Sequence, residues 1–355
     1  MIRKRSRLVL GSVLACLALG AALLFLSALG GCQAFFEQVV ALPGDAASGP
    51  EAGDAGARRC DPTAPFGAPQ LVPGLPATPD AGGAAGARLT PDELTIYFLS
   101  STAVTPGIFV ATRASAADPF GPAVSVSVNA LNDAGTFVDA PSPSSDDLTL
   151  FFGLVTIADG GGVTGSGIWR AQRSVRTQPF GPPAPVPFAS TGAAGPDGGT
   201  FITDPFVTPD GTRVFCDVHA VTVRPAAAPV VDGQLGDLQE IPGFLGYELP
   251  LEIQGFVLLP AERESAFYFG ALFADPYASK IHAEIWLATP TGPNHYAYAP
   301  LTSLQATGVS RVPTWISDDE CDLYFEQYDD FSTSVSPSSP SVARYTTYVA
   351  LRPRL

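Results

Sequence analysis

Polar turn signals followed by short apolar, β-forming runs recur along the chain, and this alternation predicts most of its structure. Thr90-Pro91-Asp92-Glu93-Leu94-Thr95-Ile96-Tyr97-Phe98 is one such unit and Ser145-Asp146-Asp147-Leu148-Thr149-Leu150-Phe151-Phe152 another. The segments from Thr208 to Cys216 and from Ser317 to Phe325 fit the same template, while Glu262 to Phe269 fits poorly, with Arg263 where Asp is expected. In each good copy an aspartate can accept backbone N–H bonds in a tight turn, and the run after it has the composition of a strand. Such turns, each opening a strand, are structural positions for Asp92, Asp146, Asp210 and Asp319. Because each recurs at the same place in its unit, the four should serve separate turns and not converge on a metal or an acid-base site.

A second element follows each run after about ten residues: Ile108 to Arg113, Ile168 to Arg173, Ile285 to Thr289, and Tyr348 to Arg352. These read as outer strands. Pro119-Phe120-Gly121-Pro122 and Pro179-Phe180-Gly181-Pro182 come at one offset after Arg113 and Arg173, as the expected crossings to the next unit. Pro65-Phe66-Gly67 holds that offset after Arg59, although no full unit precedes it, and the last unit stops at Arg352. The N-terminus of the repeat region therefore begins at the phase where the C-terminus ends. A ring closed by both termini in one blade has that property, and a linear solenoid has no use for it.

The Ser/Thr-Pro-Asp turn with its apolar run, together with the Ile-Trp-x-Ala-x-Arg run at 168–173, resembles the TolB-type, WD-like propeller repeat. The resemblance spans residues 58–352 and implies an all-β fold, a single β-propeller. Units of roughly 50 to 60 residues give five four-stranded blades, with six as the alternative. The third and fourth units depart from the pattern, since the strand after Cys216 is unclear and Arg263 replaces the turn acid. Propellers of this type serve as interaction platforms, so the resemblance implies a binding role.

The first residues carry a different pattern. Residues 1–7 are basic, residues 8–31 hold no charged side chain, and Leu29-Gly30-Gly31-Cys32 ends the run. This is a three-part export signal. Its last four residues resemble a bacterial lipobox, which implies cleavage before Cys32 and a diacylglyceryl group on its thiol. An uncleaved signal anchor is the alternative, since the run is long enough to span a bilayer. Residues 32–57 are then the lipidated cysteine and an Ala/Gly/Pro-rich tether with neither helical nor strand periodicity, and residues 58–355 the propeller. The expected location is the bacterial cell envelope, lipid-anchored to a membrane on its periplasmic or outer side.

Composition agrees with this reading and excludes others. Of 355 residues 46% are hydrophobic and 15% charged, and glycine (36) and proline (35) suit an all-β fold rich in turns. Four of the 19 basic residues (Arg3, Lys4, Arg5, Arg7) lie in the leader, so 15 remain against 34 acids. Such a surface repels phosphate backbones, and nucleic acid is excluded as a partner. Partners are instead the membrane through the lipid anchor and an envelope protein or glycan, and the chain is expected to be monomeric.

Catalytic material is sparse. His219, His282 and His295 show no metal spacing, and no Gly-x-Ser-x-Gly elbow occurs, so no cofactor and no metal are expected. Glu326-Gln327-Tyr328-Asp329-Asp330 and the loop at Asp159 lack the ligand pattern of a calcium loop and read as solvated loops. Trp169 and Trp286 read as packing positions. The segments at 99–107, 153–167, 270–284 and 326–344 fall on one face and form the candidate binding surface. Two functions compete: a non-enzymatic binding lipoprotein, and a carbohydrate-active or other hydrolytic propeller with paired carboxylates near the central channel. A deep pocket holding such a pair would favour the second.

Export into an oxidising compartment makes a disulfide possible among the three cysteines of the folded part. The end of the last strand lies beside the start of the one before it in an antiparallel hairpin, so Arg352 should sit near Cys321. Cys60 follows Arg59, the phase-mate of Arg352, and ring closure should bring Cys60 to Cys321. Cys216, at the strand position of Phe98, should be buried and unpaired. Two free thiols are the alternative for Cys60 and Cys321.

Overall fold

The computed structural model describes residues 60–76, 83–102, 105–131, 135–157, 163–187, 201–219, 223–231, 234–244, 258–260, 266–275, 280–329, 331–332 and 345–355. Cys32 and the tether lie outside them.

Five antiparallel sheets form a five-bladed propeller. The chain enters through β1 (Gln70–Leu71) and builds blade 1 from β2 (Ala85–Leu89), β3 (Thr95–Thr102), β4 (Thr105–Thr112) and β5 (Val124–Ser125). Blade 2 is β6 (Thr136–Pro143), β7 (Thr149–Ile157), β8 (Val163–Gln172) and β9 (Ala184–Pro185). Blade 3 is β10 (Phe201–Val207), β11 (Arg213–His219) and β12 (Val223–Val231), with β13 (Gln234–Leu235) and β14 (Gln239–Glu240) both paired to β12. Blade 4 is β15 (Leu258–Pro260), β16 (Phe267–Asp275), β17 (Lys280–Gly292) and β18 (His295–Pro300). Blade 5 is β19 (Val309–Ile316), β20 (Asp322–Asp329) and β22 (Thr346–Leu351), and its fourth strand is β1. The intervening β21 (Phe331–Ser332) pairs with β17 of blade 4.

The ring closes as its phase required. Gln70 pairs with Val349, Leu71 with Tyr348, and Cys60 bridges to Arg354. Cys60 and Cys321 form a disulfide with Cα atoms 5.7 Å apart and both residues fully buried. Cys216 is the free thiol among the described residues, buried in blade 3, and burial pushes its pKa up.

The elements expected as outer strands are the third of four. β5 and β9 follow the Pro-Phe-Gly-Pro segments, so those segments lead into the fourth strand and are not the crossings themselves. The glycine there allows a close approach: Gly121 N–H donates to Thr112 O at 2.8 Å and Gly181 N–H to Gln172 O at 2.8 Å. In blade 3 the unclear strand is β12, which pairs in register with all of β11. The turn at Arg263 lies outside the described residues.

Turn chemistry is uniform across four blades. The hydroxyl of Thr90, Ser144, Thr208 or Ser317 donates to the aspartate two residues on, Asp92, Asp146, Asp210 or Asp319, at 2.5 to 2.7 Å. The same aspartate oxygen accepts the N–H of Leu94, Leu148, Thr212 or Cys321. Each aspartate thus completes its own turn. Between those two residues and the strand, Glu93, Asp147 and Glu320 adopt φ of 58 to 60° and Gly211 φ of 70°, a left-handed position that costs a non-glycine residue energy unless its side chain is used.

In three blades it is used. The arginine ending the third strand, Arg113, Arg173 or Arg352, lies over the ring of Phe120, Phe180 or Phe66 at 4.2 to 4.4 Å. It pairs with the left-handed acid of its own blade, Glu93, Asp147 or Glu320. It also donates to a tyrosine hydroxyl of the preceding blade: Tyr324 at 3.4 Å, Tyr97 at 3.0 Å or Tyr268 at 3.0 Å. Tyr97 and Tyr268 donate in turn to Asp147 and Glu320 at 2.7 and 3.0 Å. Burial pushes Tyr324 up to about 12 and the other two phenols higher still, so the hydroxyls stay protonated donors.

An alanine two residues before that arginine position recurs in all five blades: Ala111, Ala171, Ala228, Ala288 and Ala350, each 2% exposed or less. Each faces the apolar residue that starts the second-strand run, Ile96, Leu150, Val214, Phe267 or Leu323. A larger side chain at this close-packed position would displace its neighbours.

Candidate functional site in the central cavity

Four innermost strands carry an irregularity at matching places: between Ala85 and Arg88 in β2, Asp139 and Ser142 in β6, Thr203 and Phe206 in β10, and Pro313 and Trp315 in β19. Counted back four residues from the turn hydroxyl, three of these bulges hold Gly86, Ala140 and Asp204, while in β19 Pro313 still pairs with Phe325 and the extra residue is Thr314. The first three adopt φ of 57, 41 and 53°. Ala140 and Asp204 lack glycine's freedom there, and bulges re-aim side chains beside sites.

These bulges surround a cavity of about 180 Å³. Its wall comes from blade 1 (Gly86, Arg88, Leu99), blade 2 (Asp139, Ala140), blade 3 (Asp204) and blade 5 (Thr314, Glu326, Tyr345). Residues from the innermost strands of four blades meet only at the axis of the ring, so this is the central channel.

The charged groups there are tightly held. Arg88 is 2% exposed. One guanidinium N–H₂ donates to the carbonyl of Pro205, and the guanidinium lies 5.3 Å over the ring of Phe206. Burial lowers its pKa to about 10, against the pull of Asp204, Asp139, Asp217 and Glu326. Glu326 accepts the N–H of Gly86 at 2.9 Å, and burial raises its pKa to about 7. Asp139 accepts the N–H of Ala140 at 2.8 Å, and burial and then the Asp204 charge hold its pKa well above the usual carboxylate range. Asp204 accepts the Thr203 hydroxyl at 3.0 Å. All three acids keep part of their surface open to the cavity.

Two buried polar atoms in this wall have no hydrogen-bond partner: Arg88 Nε and Thr314 Oγ1. Among the described residues no group of three or more His, Cys, Asp or Glu side chains is arranged to hold a metal ion.

The sequence-read residues fall elsewhere. The turn aspartates sit at the ends of blades, with Asp92 also paired to the exposed Arg176 at 2.8 Å. His282 Nε2 lies 3.2 Å from Glu284 Oε1, away from the cavity. Trp169 and Trp286 pack half-buried against the core, and Trp286 Nε1 donates to Glu284 at 3.1 Å. Glu326, expected in a solvated loop, lies instead in β20 and lines the cavity. The segments proposed as a binding face contribute Leu99 and Glu326. Arg88, Asp139, Asp204 and Thr314 were not among the residues expected from the sequence; the signal for the first three was a charged residue inside an apolar first strand, two to five positions before the turn, and Thr314 carried none.

No family model matches the chain, and no curated protein matches it in sequence. Similar solved structures include TolB from Acinetobacter baumannii, at 14% identity and TM-score 0.39 over 76% of this chain and 54% of that one. The chain thus spans about half the length of that TolB. The α-L-arabinofuranosidase PaAbf62A from Podospora anserina, solved with cellotriose, is 9% identical with TM-score 0.47 over 83% of this chain and 99% of its own. Zg3597, a family 117 glycoside hydrolase from Zobellia galactanivorans, is 12% identical with TM-score 0.47, covering 81% of this chain and 90% of its own.

Proposed function

We propose that this protein is a lipid-anchored component of the bacterial cell envelope, attached through Cys32, whose propeller is a recognition domain that takes its ligand in the central cavity. The observation that carries the reading is the cavity: a buried guanidinium and two carboxyl groups on bulged innermost strands, with a third carboxyl, Glu326, from β20. Burying such groups lowers stability unless they are used, and perturbed acids lining a cleft mark functional sites. The anchor rests on the basic start, the uncharged run and the small residues before Cys32. In cells, Cys32→Ser should abolish incorporation of labelled fatty acid and move the chain out of the membrane fraction; unchanged labelling and partition would overturn the anchor.

One observation favours hydrolysis as a second reading. Burial raises the pKa of Glu326 to about 7, the range that suits a general acid, and Asp139 and Asp204 are candidates for its partner. Turnover of nitrophenyl glycosides by the full chain, lost in Glu326→Gln, would establish an enzyme. Ligand binding with no turnover would establish recognition.

A further inference from the structure

The wall of the cavity limits what it can hold, and the inference that follows rests on the reading of the cavity as the ligand site. We infer that the cavity takes one compact, uncharged, hydroxyl-rich unit of polyol or monosaccharide type, with Arg88 Nε and Thr314 Oγ1 as its unmet hydrogen-bonding groups and Asp139, Asp204 and Glu326 as the surrounding acceptors.

Four features of the wall lead there. Arg88 Nε–H and the Thr314 hydroxyl, on two side chains of the wall, are buried and unpartnered, and an unpaired buried donor is a cost that a ligand accepting from it would offset. Glu326 and Asp139 are each satisfied on one side by a single backbone N–H, and their remaining hydrogen-bonding capacity, which accepts when ionised and can donate when protonated, belongs to the same cavity wall. A ligand must therefore accept at one edge and donate at several others. Hydroxyl groups do both with one atom.

Charge narrows the class further. A small anion would meet three carboxyl groups. A metal ion would need a convergent set of ligands, and none exists among the described residues. An organic cation could donate to Thr314 Oγ1 but would leave Arg88 Nε unpartnered, while adding a second positive charge beside the guanidinium. Size matters as well. At about 180 Å³ the cavity falls below the range of roughly 300 to 1,000 Å³ for drug-sized ligands, which fits one ring or a short polyol and not a length of polymer inside the ring.

The test uses the full-length chain in a polyoxyethylene detergent, free of sugar headgroups, titrated calorimetrically with separate probes: xylose, arabinose, galactose, mannitol, sodium acetate, calcium chloride and putrescine. Saturable binding of at least one neutral probe is expected, with affinity falling at least tenfold in Thr314→Val, which removes the hydroxyl but keeps the shape, and in Arg88→Lys, which keeps the charge but removes Nε. Circular dichroism verifies that both variants fold. Binding only of acetate, calcium or putrescine, lost in Thr314→Val, would overturn the ligand class while leaving the cavity as the site. Neutral binding untouched by both substitutions would place the ligand elsewhere and overturn the cavity reading as well. No binding of any probe would overturn both.

Discussion

The five joints between neighbouring blades are closed in two chemically different ways. At the joints of blade 5 with blade 1, blade 1 with blade 2, and blade 4 with blade 5, a tyrosine of one blade meets an arginine and a left-handed acid of the next. At the other two joints the tyrosine position holds Phe151 or Phe215 and the arginine position Val230 or Pro290. Phe151 packs into an apolar cluster with Val207, Val214 and Cys216 of blade 3. Phe215 meets Phe267 of blade 4 edge-on at 6.0 Å, beside a cluster of Phe244, Tyr296 and Tyr298. Tyrosine and arginine thus change together across a joint. Either one alone would leave a buried polar group unpaired, whereas replacing both with apolar residues of similar shape is nearly neutral. The lesson is that the backbone register of the repeat is common to all blades, while the chemistry of a joint is chosen in pairs.

The largest effect is expected where a covalent bond ties the N-terminal segment to blade 5 and so closes the ring. Cys60 and Cys321 are 261 residues apart in sequence, and in the chain-entropy model so long a loop contributes about 5 to 6 kcal/mol. Replacing both by serine should lower the guanidinium midpoint substantially, with faster hydrogen exchange in β1 and β22 than in blade 3. Equal exchange in both places would mean that ring closure does not depend on the bridge.

The joint chemistry itself is tested by a double-mutant cycle. Arg173→Met should cost about 3 kcal/mol, because Asp147 and the Tyr97 hydroxyl lose their partner in a buried place. With Tyr97→Phe already present the same change should cost at least about 0.5 kcal/mol less. At the apolar joint Val230→Ala should cost much less than Arg173→Met. Strict additivity of the pair in urea unfolding would show that the tyrosine and arginine act separately.

A smaller effect separates the joints from the cavity. Glu326 has a folded pKa raised from 4.5 to about 7, so the folded chain keeps a proton that the unfolded chain releases. Its contribution to stability is full below about pH 4.5 and is lost as pH rises through about 7. The titratable groups facing it are Asp204, Arg88, Asp139 and Tyr345, with the N–H of Gly86 on β2. The melting temperature should therefore fall between pH 5 and 8 less steeply in Glu326→Gln than in the wild type. Tyr97→Phe should leave the slope unchanged. An identical slope in Glu326→Gln and the wild type would show that this carboxyl is not protonated in the folded chain.

The fold was legible because its signals are local and repeated. A hydroxyl, an aspartate and an apolar run recur in phase, and Pro65-Phe66-Gly67 announces the ring closure before any complete unit. The Cys60 to Cys321 pairing followed from that phase. The arginines were visible as repeated letters, yet their task was not, since the tyrosine each one meets lies in another blade. The third strand of blade 3 escaped notice because Val223–Val231, rich in alanine and proline, lacks the tryptophan and arginine that mark it elsewhere.

By itself, then, the sequence determined the turns, the strand repeat and the phase at which the ring shuts, because each depends on residues near one another or on a constant offset. The choice of five blades over six was made by the folded sheets. The tertiary structure alone decided the cavity. Arg88, Asp139, Asp204 and Glu326 come from four blades, and no spacing along the chain relates them. Only the bulges of the innermost strands, the register of β20 and the closing of the ring carry them to one axis, where burial raises the pKa of a glutamate and an aspartate above the ordinary carboxylate range.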